Sequence, residues 1–400
     1  MKLRTLTINN EPADLTPDVK GENYLNLGIQ YSNINNYFKA TECFLEAKTY
    51  FKNTIGREHP GYVQSLHNLG VLYYSIGDYA NAQKYHLEEK TVLEKMSGKE
   101  NISYMEALTN LKNAYYALGN YEKAIECAME IKTIQEKLTG KDADYAQTLH
   151  NLGMLYGKIN DHESSKRYYL KALFIREKIL GKNHPDYAVS LNILGGLYFS
   201  LDDYKNAEYY LLALKTIYEN NPEKDHPGYA VALSNLGLLY TKMGDFEKAE
   251  RCLLEVKNIK KKNYGKKHHE YADSLNNLGL LYHKMGNYKK SESCYLNVKS
   301  INEKTYGKAH YNYAAALINL GSVYYSMGKY SKTESCYFEA KAIREKTYGR
   351  EHSNYILQLN KLGQLYHNIG NGVKAEHNIL GRRKPCGKMH SAINKYVYMN

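Results

Sequence analysis

The chain has 400 residues, a net charge of +12 at neutral pH and a mean hydropathy of −0.62. No apolar run approaches the roughly 18 residues of a membrane-spanning helix. The start, Met1-Lys2-Leu3-Arg4-Thr5-Leu6-Thr7-Ile8, lacks a sustained apolar core and a small-residue cleavage site, so neither a span nor a secretory leader is expected and the cytoplasm is the default location.

In chain order, residues 1–18 form an N-terminal segment, and 19–380 repeat one register every 42 residues. The register reads Asn68-Leu69-Gly70, Tyr73, Gly77, Tyr79, Ala82, and returns at Asn235-Leu236-Gly237, Tyr240, Gly244, Phe246, Ala249. Its glycine column falls at Gly28, Gly70, Gly153, Gly195, Gly237, Gly279, Gly321 and Gly363, with Lys112 in the remaining place, which makes nine copies. A fixed period in this range marks a stacked-repeat array rather than a set of globular domains.

One unit shows how each copy folds. Tyr229, Leu233, Leu236 and Tyr240 are spaced for one face of a helix, helix A. Gly244-Asp245 breaks it. Phe246, Ala249, Leu253, Val256 and Ile259 define a longer helix B, which Gly265 stops as a C′ glycine. Pro60, Pro185 and Pro227, after His59, His184 and His226, cannot extend a finished helix. The mid-helix glycine implies a close approach of A to B, because glycine there costs up to about 1 kcal/mol against alanine.

The irregular copies follow. Lys112 to Gly153 is 41 residues, one short. Asn160 and Asp202 replace the turn glycine and tolerate left-handed geometry. Asn220-Asn221-Pro222-Glu223 lacks its glycine, and a local bend is expected. The ninth helix B fails after Leu380. Residues 381–400 read as a basic, frayed tail holding Arg382, Arg383, Lys384, Lys388 and Lys395, five of the twelve excess charges.

Cys43, Cys127, Cys252, Cys294 and Cys336 each lie 15 residues after the column. Successive copies sit farther apart than the roughly 7 Å Cα limit of a disulfide. These cysteines are expected to be small, inert packing residues in a reducing compartment.

The pattern Leu-x-x-Leu-Gly-x-x-Tyr…Ala resembles the tetratricopeptide repeat, whose usual unit is about 34 residues. The longer helix B and the run Ala172-Leu173-Phe174-Ile175-Arg176-Glu177-Lys178-Ile179-Leu180-Gly181-Lys182-Asn183-His184-Pro185-Asp186-Tyr187 are similar to the kinesin-light-chain subclass. The likeness covers about nine-tenths of the chain. It implies an all-α, right-handed α-solenoid superhelix of stacked antiparallel helix pairs. Helix A would line its concave face, where ligands lie. Bacterial proteins with such repeats often carry an effector domain such as a caspase-like protease or a nucleotide-binding switch.

That expectation picks out candidate groove residues. Two before the column runs a ladder of Asn26, Asn68, Asn110, Asn151, Asn235, Asn277 and Asn319, broken by Ile193 and Lys361. In similar repeats asparagines here hold a bound peptide backbone, and an amide offers the matching acceptor and donors. The competing assignment is that they tie neighbouring helices together. Lys158, Lys242 and Lys284 lie five after the column, with His283 beside the last. Three before the column, one turn earlier, lie His67, His150, Asn192 and Asn276. Tyr74, Tyr116, Phe199 and Tyr325 lie four after the column. Aromatics beside cations would seat a peptide with acidic and apolar anchors. Ordinary solvated charge is the plainer account of the lysines.

No catalytic constellation stands out. Gly321…Gly328-Lys329 has the wrong spacing for a phosphate loop, and Gly381…Gly387-Lys388 lacks the hydroxyl. His59, His184, His226, His268, His310 and His352 recur once per copy, a structural column rather than a metal cluster. Cys386 and His390 share the tail, where no scaffold would hold them in register. The expectation is a non-enzymatic interaction scaffold without cofactor or metal. Its partner would be a protein or peptide, with acidic character favoured by the excess charge. No small-molecule substrate is expected. The alternatives are a regulatory or sensor arm of an effector system and an RNA-binding solenoid. The lysines are scattered rather than striped, which disfavours nucleic acid.

Overall fold

Helix starts and stops in this chain are set by residues whose side chains complete the backbone. The computed structural model describes residues 17–219, 226–349 and 353–370. Among the described residues the elements are α1 (Pro17–Asn33), α2 (Tyr37–Thr54), α3 (Pro60–Ser75), α4 (Tyr79–Ser97), α5 (Ile102–Ala117), α6 (Tyr121–Leu138), α7 (Ala143–Lys158), α8 (His162–Leu180), α9 (Pro185–Ser200), α10 (Tyr204–Glu219), α11 (Pro227–Met243), α12 (Phe246–Tyr264), α13 (His269–Lys284), α14 (Tyr288–Tyr306), α15 (Tyr311–Ser326), α16 (Tyr330–Tyr348) and α17 (Ser353–Asn368), with no strand. Odd-numbered helices are the A helices and even-numbered ones the B helices. The bend expected at 220–223, the ninth helix B after residue 370, the tail and most of the 1–18 segment lie outside the described residues.

The A-to-B turns work as the sequence implied. Asn160 and Asp202 take φ of 60° and 57°, the left-handed geometry that Gly244 adopts at 82°. The next residue caps helix B. Asn36, Asp78, Asn120, Asp161, Asp245 and Asn287 each accept a hydrogen bond from the backbone N–H three residues on, which satisfies one orphan donor of the first turn.

The linker histidines begin helices. Nδ1 of His59, His226, His268 and His310 accepts the N–H two residues ahead at 3.1, 3.0, 3.2 and 3.2 Å. Each ring stacks on an aromatic ring near the end of the preceding B helix: Phe51 on His59 at 4.9 Å, Tyr218 on His226 at 4.8 Å, Tyr264 on His268 at 4.9 Å and Tyr306 on His310 at 4.5 Å. The proline that follows His59 and His226 is then the first helical residue, where its missing N–H costs nothing.

The helix contacts divide the chain into two units, residues 1–197 and 198–400. Within the first, α3, α5 and α7 pack against α4, α6 and α8 around Leu66, Leu69, Leu108, Leu111, Leu149 and Leu152, all fully or nearly fully buried. Within the second, α11, α13 and α15 pack against α12, α14 and α16 around Leu233, Leu253, Leu275, Leu317 and Leu320. The glycine column is explained by what faces it. A Cβ added at Gly153 would lie 2.8 Å from the ring of Tyr169, at Gly279 2.8 Å from Tyr295, and at Gly321 2.5 Å from Tyr337. The helix is thus close enough to its partner for a large side chain to fill the missing volume.

A second set of bonds crosses between helices. Tyr104 donates to Glu130 at 2.6 Å and Tyr313 to Glu339 at 3.0 Å, from an A helix to its own B helix. Tyr240 donates to Glu208 and Tyr282 to Glu250, both at 2.8 Å, from an A helix back to the previous B helix. Burial first, and then the carboxylate, pushes each of these phenols well above the usual tyrosine range. The five described cysteines are free. Burial raises all five thiols, Cys127 to about 11, which keeps them unreactive.

Candidate functional site

The A-helix face carries the asparagine ladder, and its rungs do not all have the same job. In the first unit Asn68, Asn110 and Asn151 are half-buried on α3, α5 and α7. Gln64 Nε2 donates to Asn68 Oδ1 and Gln147 Nε2 to Asn151 Oδ1, both at 3.1 Å. Asn68 Nδ2 is shielded from solvent and has no acceptor. Asn26 is exposed on α1. In the second unit Asn319 Nδ2 donates to Asn276 Oδ1 at 2.8 Å, a bond between α15 and α13. Asn235 has a partner within the protein, and Asn277 is half-buried on α13.

The candidate cations and aromatics are placed differently. Lys158, Lys242 and Lys284 are exposed in the last turns of α7, α11 and α13, where a positive charge complements the helix terminus. His283 bonds Ser326 Oγ at 2.8 Å, again between α13 and α15. Burial, followed by Lys284 and Lys361, lowers its pKa. Tyr74, Tyr116, Phe199 and Tyr325 each pack on the first aromatic of their own B helix, Tyr79, Tyr121, Tyr204 and Tyr330, at 5.2, 5.7, 6.3 and 5.9 Å. Tyr325 also accepts from Asn368 of α17. Within each unit the candidates are spread over several helices and are not gathered into one pocket.

Three polar arrangements went unread in the sequence. Glu89 is 3% exposed and bonds Nδ1 of His67 at 3.0 Å and of His86 at 2.8 Å. Burial works to raise the Glu89 carboxyl, but the two imidazoles outweigh it and hold it below the usual range. The same bond raises His67. Arg176, 3% exposed, donates to Ser190 Oγ and Gln147 Oε1 at 2.7 Å and to Asp186 O at 3.1 Å. Its charge adds to burial in pushing the neighbouring His150 down to about 4. The third is a cavity of about 260 Å³ between α5, α6 and α7, lined among others by Met105, Lys112, Ile131, Gln135 and Asn151. One signal for the cavity was visible: Lys112 stands where eight copies carry glycine.

His269, Glu270 and Asp273 bring ligand-type atoms within 4.8 Å of one another on the first turn of α13. Glu270 is engaged by Lys260 at 2.5 Å. Among the described residues no helix is long and apolar enough to cross a membrane.

The tetratricopeptide repeat model matches residues 21–95, 103–178, 161–220, 186–262, 228–296, 270–337 and 313–378. The chain belongs to the tetratricopeptide repeat (TPR) family. A comparison with curated proteins returns no match. Among solved structures, the apo form of RapI shares the fold with a TM-score of 0.60 at 14% identity, covering 90% of this chain and 96% of its own. The apo form of the quorum sensor NprR from B. thuringiensis aligns with a TM-score of 0.54 at 14% identity, covering 83% and 89%. TPR-like repeats of a kinesin light chain from Podosopora anserina align at 20% identity with a TM-score of 0.46, covering 52% of this chain and all of theirs. This TPR chain is a repeat scaffold of helix pairs.

Proposed function

We propose that the chain is a non-enzymatic scaffold that captures an extended peptide or a partner helix along the A-helix face of its first unit. The observation that carries this reading is Asn68. Its Oδ1 is held by Gln64 while its shielded Nδ2 has no acceptor. A buried donor left open costs about 1–3 kcal/mol, and a peptide carbonyl would satisfy it. Asn151 repeats the arrangement with Gln147, and Asn110 occupies the rung between them. Asn319 and Asn276, by contrast, bond each other, so in the second unit that rung ties helices together. Lys158 would favour acidic side chains on the partner.

A pull-down from native lysate, followed by mapping of the retained segment, supplies the ligand. The triple substitution Asn68→Ala, Asn110→Ala, Asn151→Ala should then weaken capture at least about tenfold, the equivalent of about 1.4 kcal/mol. Helicity by circular dichroism should stay unchanged. Undiminished capture would assign all three asparagines to packing.

A second reading, a regulatory or sensor arm of an effector system, takes its support from the fold shared with the quorum sensor NprR. An RNA-binding solenoid is disfavoured by the cations themselves. Lys48, Lys90, Lys132, Lys215, Lys260 and Lys290 are all paired with glutamates, which leaves less positive charge for phosphates.

A further inference from the structure

One copy of the repeat departs from the others at two facing positions. Elsewhere a glycine of helix A meets a larger side chain sixteen residues on: Gly28 meets Phe44, Gly70 His86, Gly153 Tyr169, Gly237 Leu253, Gly279 Tyr295 and Gly321 Tyr337. In α5 and α6 the pair is Lys112 and Ala128. Large and small have changed sides, and the flexible lysine does not fill the space a ring would occupy. The result is the cavity of about 260 Å³ lined by both residues. A cavity of about 150 Å³ already admits a six-carbon ring.

Gln147, Asn151 and Thr109 on this lining are hydrogen-bonded, but Lys112 and Gln135 Oε1 are not. Lys112 makes no hydrogen bond or ion pair among the described residues, and burial lowers its ammonium below the usual lysine range. Gln135 is 5% exposed and its Oε1 has no donor. Asp144, exposed on the first turn of α7, lines the same cavity and has no ion pair among the described residues. Lys112 and Asn151 also line the adjoining cavity of about 220 Å³, whereas Gln135 and Asp144 line only the larger one. Lys112 and Asn151 thus stand on a common wall that Gln135 and Asp144 do not share. Met105 and Ile131 supply apolar surface.

An isolated buried cation calls for an anion, and an orphaned carbonyl oxygen beside a carboxylate calls for an N–H donor. A single small zwitterion provides both on adjacent atoms. We propose that this cavity binds a free α-amino acid with an apolar side chain of leucine or methionine size. Its carboxylate accepts from Lys112 and Asn151. Its ammonium donates to Gln135 Oε1 and Asp144, and its side chain rests on Met105 and Ile131. The site shares Asn151 with the asparagine ladder, while Lys112 and Gln135 stand outside it, and it is testable without any protein partner.

The test titrates the full chain with leucine and methionine by calorimetry and follows thermal unfolding in parallel. One of them should bind at one site per chain. At ten times its Kd the apparent folding equilibrium constant should rise about tenfold. N-acetyl-leucine and leucinamide, each lacking one charge, should bind at least about tenfold more weakly. Lys112→Met and Gln135→Leu should each abolish the effect. Both variants should melt no lower than the parent without ligand, because each removes an unpaired buried polar group. No heat and no shift with any apolar amino acid up to about 10 mM would overturn the proposal. So would undiminished binding by Lys112→Met, or equal binding of N-acetyl-leucine.

Discussion

Buried polar residues in this chain are held at fixed protonation by their neighbours, and that sets its response to pH. His150 titrates near 4 when folded, driven down by burial and by Arg176. An ordinary histidine titrates near 6.5. Between these values the unfolded chain takes up a proton that the folded chain refuses, so stability falls on acidification from about pH 6.5 to about pH 4. His67 acts in the opposite sense. Its folded pKa is raised by Glu89, so its contribution is complete below the unfolded value and lost as pH rises through the folded one. Replacing His150 with Asn should therefore flatten the acid limb of a urea-unfolding stability profile by on the order of 3 kcal/mol, with little change above pH 7. An acid limb as steep as the parent's would show that the burial of His150 is not what drives it. None of this was legible beforehand, because Glu89 and Arg176 look like surface residues until their partners, 22 and 14 residues away, are brought to them.

At the scale of the element, the sequence was most readable where one residue type must recur. The turn glycines, their Asn160 and Asp202 substitutes and the helix B stops all appear where the 42-residue register put them. The histidines were recognised as a column without a function. Their part in starting helix A depends on a side-chain nitrogen meeting a backbone N–H, which spacing alone does not disclose. The glycine column was read as a close approach of helix A to helix B, without the helix B side chain that the structure shows filling the gap. That distinction has a measurable consequence. Alanine normally favours a helix over glycine by about 1 kcal/mol. Gly279→Ala should instead destabilise the protein by about 1–3 kcal/mol, because its Cβ would lie 2.8 Å from Tyr295. The double substitution Gly279→Ala, Tyr295→Leu should recover part of the loss in denaturant unfolding. A stabilising single mutant would show that Tyr295 moves aside freely.

Among the described residues of the molecule, the helix pairs in substantial contact are one or two apart in sequence. Stability is then close to a sum of repeat and neighbour terms. Hydrogen exchange should show protection falling toward α1 and α17, and removal of whole terminal repeats should lower the unfolding midpoint in steps. Uniform protection up to the outermost helices would contradict a nearest-neighbour array. The candidate site was legible only in part for the same reason. A repeat advertises what all copies share, and the asparagine ladder is such a feature. The Lys112 cavity exists because one copy differs, and a periodic reading treats that difference as noise.

The bonds that join consecutive repeats also bear on how such a chain changes length. Tyr282 reaches Glu250, and Tyr324 stands in the same relation to Glu292, 32 residues behind it. Excising 251–292 would place Tyr324 at the same separation from Glu250. The seams at Tyr240, Tyr282 and Tyr324 are cut to one gauge, so unequal recombination among these copies can add or delete a whole unit without leaving a tyrosine or a glutamate unmatched at the new junction.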